Sequence, residues 1–311
     1  MFFNFSSYCG MDITGHADID FVDIPVNTDV RLYVDPERIA LSQNPYAEAA
    51  NLCIEDFFNA LCAAVHAKDK DQVHELLLFG HEPNETHMGL SKAVSCGRGV
   101  SAEILEPIIS DLFTKRLIDD AIVRQLGDLA IFTPNFGSDR LSDLCVNVIR
   151  GQLYAFTHSQ LAGWNIKCPM ITAEVPVWNL DHHHWETQLL SFPEIDGKPL
   201  MLCPKDFVGA KMLLTPGEFL QKQVLEYRQE VLLEERSPLC RKRTYKNGRY
   251  AILPPTKKDI RDTEMGDMTS KDYLRNNTLK YPELLQQYRM NQGRLNAQMS
   301  NDELDYLLYV S

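Results

Sequence analysis

The sequence lacks the motifs that would assign it to a familiar enzyme class. It contains no C-x-x-C pair and no G-x-x-x-x-G-K-[ST] phosphate loop. It also contains no H-E-x-x-H zinc helix, because Glu85 stands where a histidine would have to follow His81-Glu82. No run of about 18 apolar residues is present, and the first ten residues lack the basic flank and apolar stretch of a signal peptide. We therefore expect neither a P-loop nucleotidase nor a zinc protease, and no insertion into a membrane.

An excess of positive charge is also missing. The 311 residues carry a formal net charge of −12, which argues against a protein that coats nucleic acid over its whole surface. Eight cysteines are scattered along the chain, several of them in apolar runs, as is typical of reduced thiols in a core. Together with a hydrophobic content of 44%, these features predict a globular, cytoplasmic protein.

Hydrophobic periodicity predicts an α+β fold. Alternating apolar residues predict a β-hairpin over residues 20–36, near the start, and mixed or antiparallel strands around 170–255. Asp-Gly at 196–197 and Asn-Gly at 247–248 mark hairpin turns. Apolar residues at helical spacing predict a helical N-terminal and central part, with helices over 46–67, 104–112, 120–130 and 142–158. Pro107 indicates that the second of these helices begins near the proline. The C-terminus is predicted to be helical, with its last helix opened by a capping box at Ser300 and Glu303.

Two domains are predicted, with a boundary near residue 220. Residues 1–220 would form an α+β core that carries the candidate site. Residues 221–311 would hold a basic segment and the C-terminal helices.

The best candidate site is the stretch 135–158. Its predicted helix begins after the N-cap Ser142, and Asp139 lies one turn before Asp143, so both carboxylates are expected at the positive end of the helix. There they would hold a divalent cation, with Asn147 and Arg150 aimed at a phosphate or carboxylate beyond it. The alternative is that Asp143 complements the helix dipole, Asp139 is a turn residue and the polar stripe is solvated.

A second stretch, 78–101, contains acidic residues followed by a glycine-containing loop whose backbone N–H groups could donate to a phosphate. Glu82 and Glu85 are further candidate metal ligands. They precede a loop in which glycines would let the backbone approach a phosphate and cations would supply charge, namely Lys92, Gly97, Arg98 and Gly99. The alternative is a connection with ordinary turn glycines.

The strand-rich part adds one candidate and one weaker pattern. Lys205 lies near a predicted strand end, where nucleases place a lysine, although the compact E-x-K spacing is absent. Three consecutive histidines, His182, His183 and His184, invite a metal assignment. Because three adjacent imidazoles cannot all face one ion from a regular element, we expect a loop tip there instead.

A basic segment interrupts the acidic background between residues 236 and 262. Nine basic residues stand there against two acids, and tyrosines interleave with the charges. This combination predicts contact with a phosphate backbone and with bases. The expected nucleic-acid-binding residues are Arg241, Lys242, Arg243, Tyr245 and Lys246. The alternative is a solvated strand pair around Asn247-Gly248.

Four stretches, TDVRLYVDP, ETHMGLSK, GSDRLSDLCVNVI and LMLCPKDFV, together resemble uncharacterised bacterial proteins of mobile-element and phage-defence neighbourhoods. The resemblance covers the first two-thirds of the chain, implies a cytosolic bacterial protein and carries over no catalytic residue.

The leading hypothesis is a metal-dependent phosphodiesterase or nuclease, acting in anti-phage defence. Mg²⁺ or Mn²⁺ on Asp139, Asp143 and Glu82 or Glu85 would activate water, and Lys92, Arg98 or Lys205 would steady the phosphate. The alternative from another class is a sensor or adaptor that binds protein partners or nucleic acid without turnover.

Overall fold

A computed structural model of the chain describes residues 4–26, 28, 30–79, 84–86, 88, 102–295 and 298–310, with residues 84, 102–105 and 294–295 described by their backbone alone. The fold is α+β with a helical C-terminus, as predicted. Within the described part of the chain, no helix is both long and apolar enough to cross a membrane.

Helices form most of the described structure. Those before the main hairpin are α1 (Phe5–Tyr8), α2 (Pro36–Leu41), α3 (Ala47–His66), α4 (Lys70–Leu78), α5 (Ala102–Thr114), α6 (Asp128–Phe132), α7 (Ser138–Val148) and α8 (Arg150–Gly163). Those after it are α9 (Pro216–Phe219), α10 (Leu225–Glu234), α11 (Lys257–Ile260), α12 (Ser270–Lys280), α13 (Glu283–Leu295) and α14 (Asn301–Asp305). Single 3-10 turns lie at His16–Asp18, Asn84–Thr86 and Lys205–Phe207, and π-helical turns at Leu220–Val224, Arg261–Met265 and Tyr306–Val310.

Among the described residues, the strands form three small antiparallel sheets. They are β1 (Tyr33–Val34), β2 (Met170–Asn179), β3 (His184–Ile195), β4 (Lys198–Pro199), β5 (Val208–Gly209), β6 (Arg241–Thr244) and β7 (Tyr250–Leu253). The strand orders are β2-β3-β4, β1-β5 and β6-β7. The predicted turn at Asp196-Gly197 is confirmed, because both residues adopt positive φ, as a tight hairpin requires.

The local signals that start helices explain several boundaries. Asp35 accepts a hydrogen bond from the Glu37 amide at 2.9 Å as N-cap of α2, with Pro36 as the first helical residue. The capping box predicted at Ser300 and Glu303 opens α14. The predicted helix over 46–67 is confirmed as α3, whose apolar face is buried.

The C-terminal helices pack onto the N-terminal part through buried polar contacts. The Lys271 ammonium of α12 donates to the carbonyls of Ala130, Thr133 and Phe136 at 2.8, 2.7 and 3.0 Å. His16, which is fully buried, pairs through Nδ1 with Asp305 of α14 at 2.6 Å. The predicted boundary near residue 220 therefore lies within a chain whose two parts share one hydrophobic core.

The predicted hairpin over 20–36 is wrong. Phe21 forms a bridge with Pro204, Val30 with Met88, and β1 pairs with β5, so the extended segments find distant partners instead of each other. Because both faces of these segments are buried, alternation of apolar residues did not reveal which segments pair.

Two helix boundaries also differ from the prediction. α5 begins at Ala102 and carries Pro107 inside it, rather than beginning near the proline. In the region predicted as a helix over 120–130, the helix α6 begins only at Asp128. The side chain of Asp128 accepts hydrogen bonds from the amides of Arg124 and Gln125, which holds the preceding residues in a turn.

Candidate functional site

The two stretches predicted to form a site come together in the structure. The Asn147 amide of α7 donates to the Phe79 carbonyl at 2.5 Å, and Arg150 at the start of α8 lies 3.3 Å from the Glu85 carboxylate. Arg150 also donates to Asn147 Oδ1. The central helix pair and the segment after α4 therefore share one polar cluster, formed by Glu85, Asn147 and Arg150.

This cluster is buried, so the alternative given above, that the polar stripe is solvated, is wrong. Asp143 is 8% exposed, Asn147 is fully buried and Arg150 is 2% exposed. The predicted single helix breaks at Ile149 into α7 and α8. Ser142 is not an N-cap, because α7 already begins at Ser138, and its hydroxyl instead accepts from the Val34 amide at 2.9 Å.

The helix start gives the two aspartates different surroundings. Asp139 lies in the first turn of α7, where partial burial raises its pKa and the neighbouring Arg140 works in the opposite direction. Asp143 lies one turn further on and is part of the buried wall of the helix. The two aspartates therefore lie one helical turn apart, as predicted, but Asp139 is partly exposed and Asp143 is buried.

Electrostatics within the cluster favour a structural ion pair. Burial lowers the pKa of Arg150 and the Glu85 carboxylate raises it. Glu85 Oε1 faces Arg150, whereas its buried Oε2 has no hydrogen-bond partner among the described residues. A guanidinium next to Glu85 neutralises the carboxylate that was predicted to attract a cation.

The predicted metal ligands are not brought into one group within the described residues. In that part of the chain, only His182, His184 and Glu186 form a set of three or more His, Cys, Asp or Glu side chains close enough to share an ion. Glu85, Asp139 and Asp143 do not belong to such a set. The other predicted ligand and the phosphate-binding residues, Glu82, Lys92, Gly97, Arg98 and Gly99, lie outside the described residues.

Lys205 has a structural partner. Its ammonium donates to the His16 carbonyl at 2.6 Å, and its amide donates to the Asp20 carbonyl at 3.0 Å. These contacts hold the 3-10 turn Lys205–Phe207 against the N-terminal segment. Among the described contacts of Lys205, none joins it to Glu85, Asp139 or Asp143.

The basic segment forms an exposed two-stranded ribbon, β6 and β7 with their turn, here called the basic hairpin (residues 241–253). Asn247-Gly248 forms its turn as predicted, with Gly248 at φ +79°. Arg241 pairs with Leu253 and Thr244 with Tyr250, and every residue of β6 is exposed. The predicted strand pair is therefore confirmed, and its charges face solvent.

The charges of the basic hairpin are not neutralised by neighbouring acids. It contains five basic residues and no acidic one. None of the five forms an ion pair with a carboxylate among the described residues. Arg241 donates a hydrogen bond to the Pro254 carbonyl at 3.1 Å. Its charge also contributes to the lowered pKa of Asp259, which is caused mainly by hydrogen bonds from Thr256.

Two tyrosines lie among these charges. Tyr245 is 45% exposed and Tyr250 is 61% exposed. The Lys242 ammonium lies 4.2 Å from the Tyr250 ring centre, and the Arg243 guanidinium lies 5.5 Å from that of Tyr245. These cation–π contacts hold the long basic side chains close to aromatic rings on an open surface.

Glu37, in the first turn of α2, is a partly buried acid that lies outside this cluster. Burial, with the nearby carboxylates Asp35 and Asp128, raises the pKa of Glu37 to about 8. Arg289 and a hydrogen bond from Gln125 act in the opposite direction. A pKa of about 8 makes the protonated form of Glu37 the major one in the folded protein at pH 7.

Sequence reasoning missed the set formed by His182, His184 and Glu186. The expected loop tip is confirmed, because the histidines lie exposed at the turn between β2 and β3. The missed signal was the H-x-E spacing of His184 and Glu186, since residues two apart in a strand share a face.

Comparison with known proteins places the chain in a family. Residues 10–223 match a family model described as Domain of unknown function (DUF8370). No curated protein and no solved structure gives a significant match. The family match includes α7, α8 and the β2-β3 hairpin and ends before the basic hairpin. Because it covers well over half of the chain, this protein belongs to the DUF8370 family.

Proposed function

We propose that this protein is a nucleic-acid-binding sensor or adaptor that contacts its ligand through the basic hairpin. The observation that carries the proposal is a solvent-facing ribbon of five cations without an acid, on a chain whose formal net charge is −12. A cation that neutralises a phosphate releases a condensed counterion, and this release supplies most of the non-specific binding free energy.

The acidic remainder of the chain restricts how nucleic acid binds. Outside the basic hairpin the chain carries an excess of acidic over basic residues, which disfavours the approach of a phosphate backbone to the rest of the protein on average. We therefore expect the main phosphate contacts to be those that the basic hairpin reaches. This arrangement gives modest affinity with a fixed orientation.

The exposed tyrosines favour single-stranded nucleic acid. Unpaired bases stack on aromatic rings, which contributes about 1–3 kcal/mol per base. Tyr245 lies at the turn and Tyr250 on β7, each beside a basic side chain. The combination matches the chemistry of a flexible strand whose bases are splayed out.

The test compares two variants of equal charge change. Lys242→Gln, Arg243→Gln and Lys246→Gln together should weaken binding of a labelled single-stranded oligonucleotide, measured by fluorescence anisotropy. The control variant removes three exposed lysines elsewhere, Lys167, Lys198 and Lys211. Equal loss in both variants would show a general charge effect and would refute a binding site on the basic hairpin.

A second comparison separates stacking from charge. Tyr245→Ala with Tyr250→Ala should weaken single-strand binding, whereas Tyr245→Phe with Tyr250→Phe should retain it, because phenylalanine keeps the π face. Duplex DNA should respond little to either pair of changes. If duplex binding falls as much as single-strand binding, the ribbon binds a groove rather than unpaired bases.

A metal-dependent phosphodiesterase is the second candidate. One observation favours it: the helix pair predicted to carry the carboxylates contacts Phe79 and Glu85, which belong to the stretch 78–101 that was predicted to supply further ligands and phosphate contacts. Mg²⁺ or Mn²⁺ would bind the aspartates there. Cleavage of a labelled oligonucleotide with either ion, abolished by Asp139→Asn, would establish this activity.

Chemistry and resemblance support a cytoplasmic setting. Seven described cysteines are free, which supports a reducing cytoplasm. The likeness to proteins of phage-defence neighbourhoods supports a role in recognising foreign nucleic acid and passing the signal to a protein partner. A nucleic acid with single-stranded regions is the ligand that the basic hairpin fits best.

A further inference from the structure

The turn between β2 and β3 gathers three metal-ligating side chains. His182 Nδ1 lies 3.0 Å from Glu186 Oε1, and His184 Nε2 lies 3.9 Å from the same oxygen. The three ligand atoms all lie within 4.8 Å of one another. Ligands of a tetrahedral zinc ion lie about 3.4 Å apart, since each is about 2.0–2.1 Å from the metal. Small side-chain rotations would therefore close the set around one ion.

The strand geometry explains how the sequence brings these groups together. His184 and Glu186 are two residues apart in β3 and point to the same face. His182 precedes them in the turn, and its ring centre lies 5.6 Å from that of His184. The motif is therefore an H-x-H-x-E spacing across a turn and a strand start.

The turn is held in place by contacts beside the ligands. Asn179 Oδ1 accepts from the amides of Asp181 and His182 at 2.8 and 3.0 Å. Hydrogen bonds from the side chains of Asn179 and His182 hold the Glu186 carboxylate and lower its pKa. Such outer contacts orient ligands before a metal arrives.

The middle histidine fastens the turn to the body of the protein. His183 Nδ1 lies 2.8 Å from Asp56 of α3, and the other Asp56 oxygen accepts from the Trp178 indole at 2.8 Å. His183 thus points away from the set, which resolves the difficulty that three consecutive imidazoles cannot face one ion. Only two of them are needed.

We propose that His182, His184 and Glu186 form a zinc site with one coordination position left for water or an added ligand. Two imidazoles and a carboxylate suit Zn²⁺ and its first-row neighbours, whereas Mg²⁺ and Ca²⁺ prefer oxygen ligands alone. The site is distinct from the predicted Mg²⁺ or Mn²⁺ site and from the basic hairpin. It gives the β2-β3 turn a function that does not depend on nucleic-acid binding.

The experiment is a calorimetric titration of untagged protein with zinc chloride. Wild-type protein should bind one ion per chain. His184→Ala and Glu186→Gln should each weaken binding at least about 10-fold, the lower end of what even an outer contact costs. The matched control is His66→Asn, which changes a histidine that is 58% exposed, close to the 51% of His184, on a different element. It should bind zinc like wild type.

Two readouts separate this site from adventitious binding. His184 is half exposed, so its alanine variant should keep the wild-type circular dichroism and melting temperature. Co²⁺ substituted at the site should show ligand-field absorption without a thiolate charge-transfer band, because the set contains no cysteine. Unchanged zinc affinity in both ligand variants, no binding by wild type, or a thiolate band would each overturn the proposal.

Discussion

Replacing Glu85 by glutamine distinguishes a buried ion pair from a metal ligand. Arg150 is 2% exposed and Glu85 has a side-chain exposure of 12%, so removal of the carboxylate charge leaves the guanidinium without its counter-ion in the interior. Breaking a buried pair in this way costs about 3–5 kcal/mol. We take about 3 kcal/mol, because glutamine still offers one oxygen to Arg150.

The expected change in melting temperature follows from chain length. With roughly 2.1 cal/mol/K of unfolding entropy per residue, a chain of 311 residues loses about 0.65 kcal/mol of stability per degree near its midpoint. A loss of about 3 kcal/mol should therefore lower Tm by about 5 °C. Differential scanning calorimetry measures this directly.

A control and a double variant complete the test. Glu174→Gln changes an exposed glutamate on β2 and should shift Tm by less than about 1 °C, since surface changes stay within about 0.5 kcal/mol. Glu85→Gln with Arg150→Met should cost less than the sum of the single changes, because it leaves no unpaired charge. A Tm for Glu85→Gln equal to that of the Glu174 control would refute the ion pair and restore Glu85 as a free ligand.

Three further changes test other parts of the structure. Glu37→Gln mimics the protonated acid at every pH. Because the pKa of Glu37 is raised from the ordinary 4.5 to about 8 in the folded protein, the stability of wild type relative to this variant should fall by about 1.4 kcal/mol per pH unit between those two values and stay constant outside them. Urea unfolding at several pH values measures this difference, and the absence of the trend would mean that Glu37 is ionised when folded. Asp143→Ala should lower the free energy of unfolding by about 2 kcal/mol, because Asp143 is only 8% exposed. This loss is larger than that expected for an exposed acid at a helix start. A loss near zero in the same assay would mean that the Asp143 carboxylate is solvated. Lys271→Met removes the donor to three carbonyls near the end of α6 and should lower the free energy of unfolding by about 3 kcal/mol. An unchanged Tm in differential scanning calorimetry would contradict this expectation.

Local sequence signals predicted much of the secondary structure. The amphipathic helix α3, the turns at Asp196-Gly197 and Asn247-Gly248 and the capping box of α14 all depend on residues within about one helical turn or one hairpin of each other. The interactions that form these elements are local in sequence, so a local sequence pattern is enough to predict them.

Long-range pairing was not predictable in the same way. β1 pairs with β5, a segment far along the chain, and no turn chemistry marks such a partner. Helical spacing showed that the polar side chains of the central helices share one face, but it left open whether that face is solvated. That face is buried because Glu85 and the Phe79 carbonyl, which come from another part of the chain, supply its partners.

The candidate sites differ in the same way: the basic hairpin could be predicted from local composition, and the histidine and glutamate set could not. The exposed basic hairpin was predicted by composition, since solvated charges need no partner. The set of His182, His184 and Glu186 was missed because the turn that brings its members together is held by Asn179 and by the contact of His183 with Asp56, which depend on the folded hairpin.

The salt dependence of nucleic-acid binding tests the central claim most directly. Each phosphate contact on a single strand contributes about 0.7 to the slope of log K against log salt concentration. Removing Lys242, Arg243 and Lys246 together should therefore flatten the slope by about 2, whereas removing Lys167, Lys198 and Lys211 should leave it unchanged. Identical slopes for wild type and the basic-hairpin variant would contradict nucleic-acid binding through this ribbon.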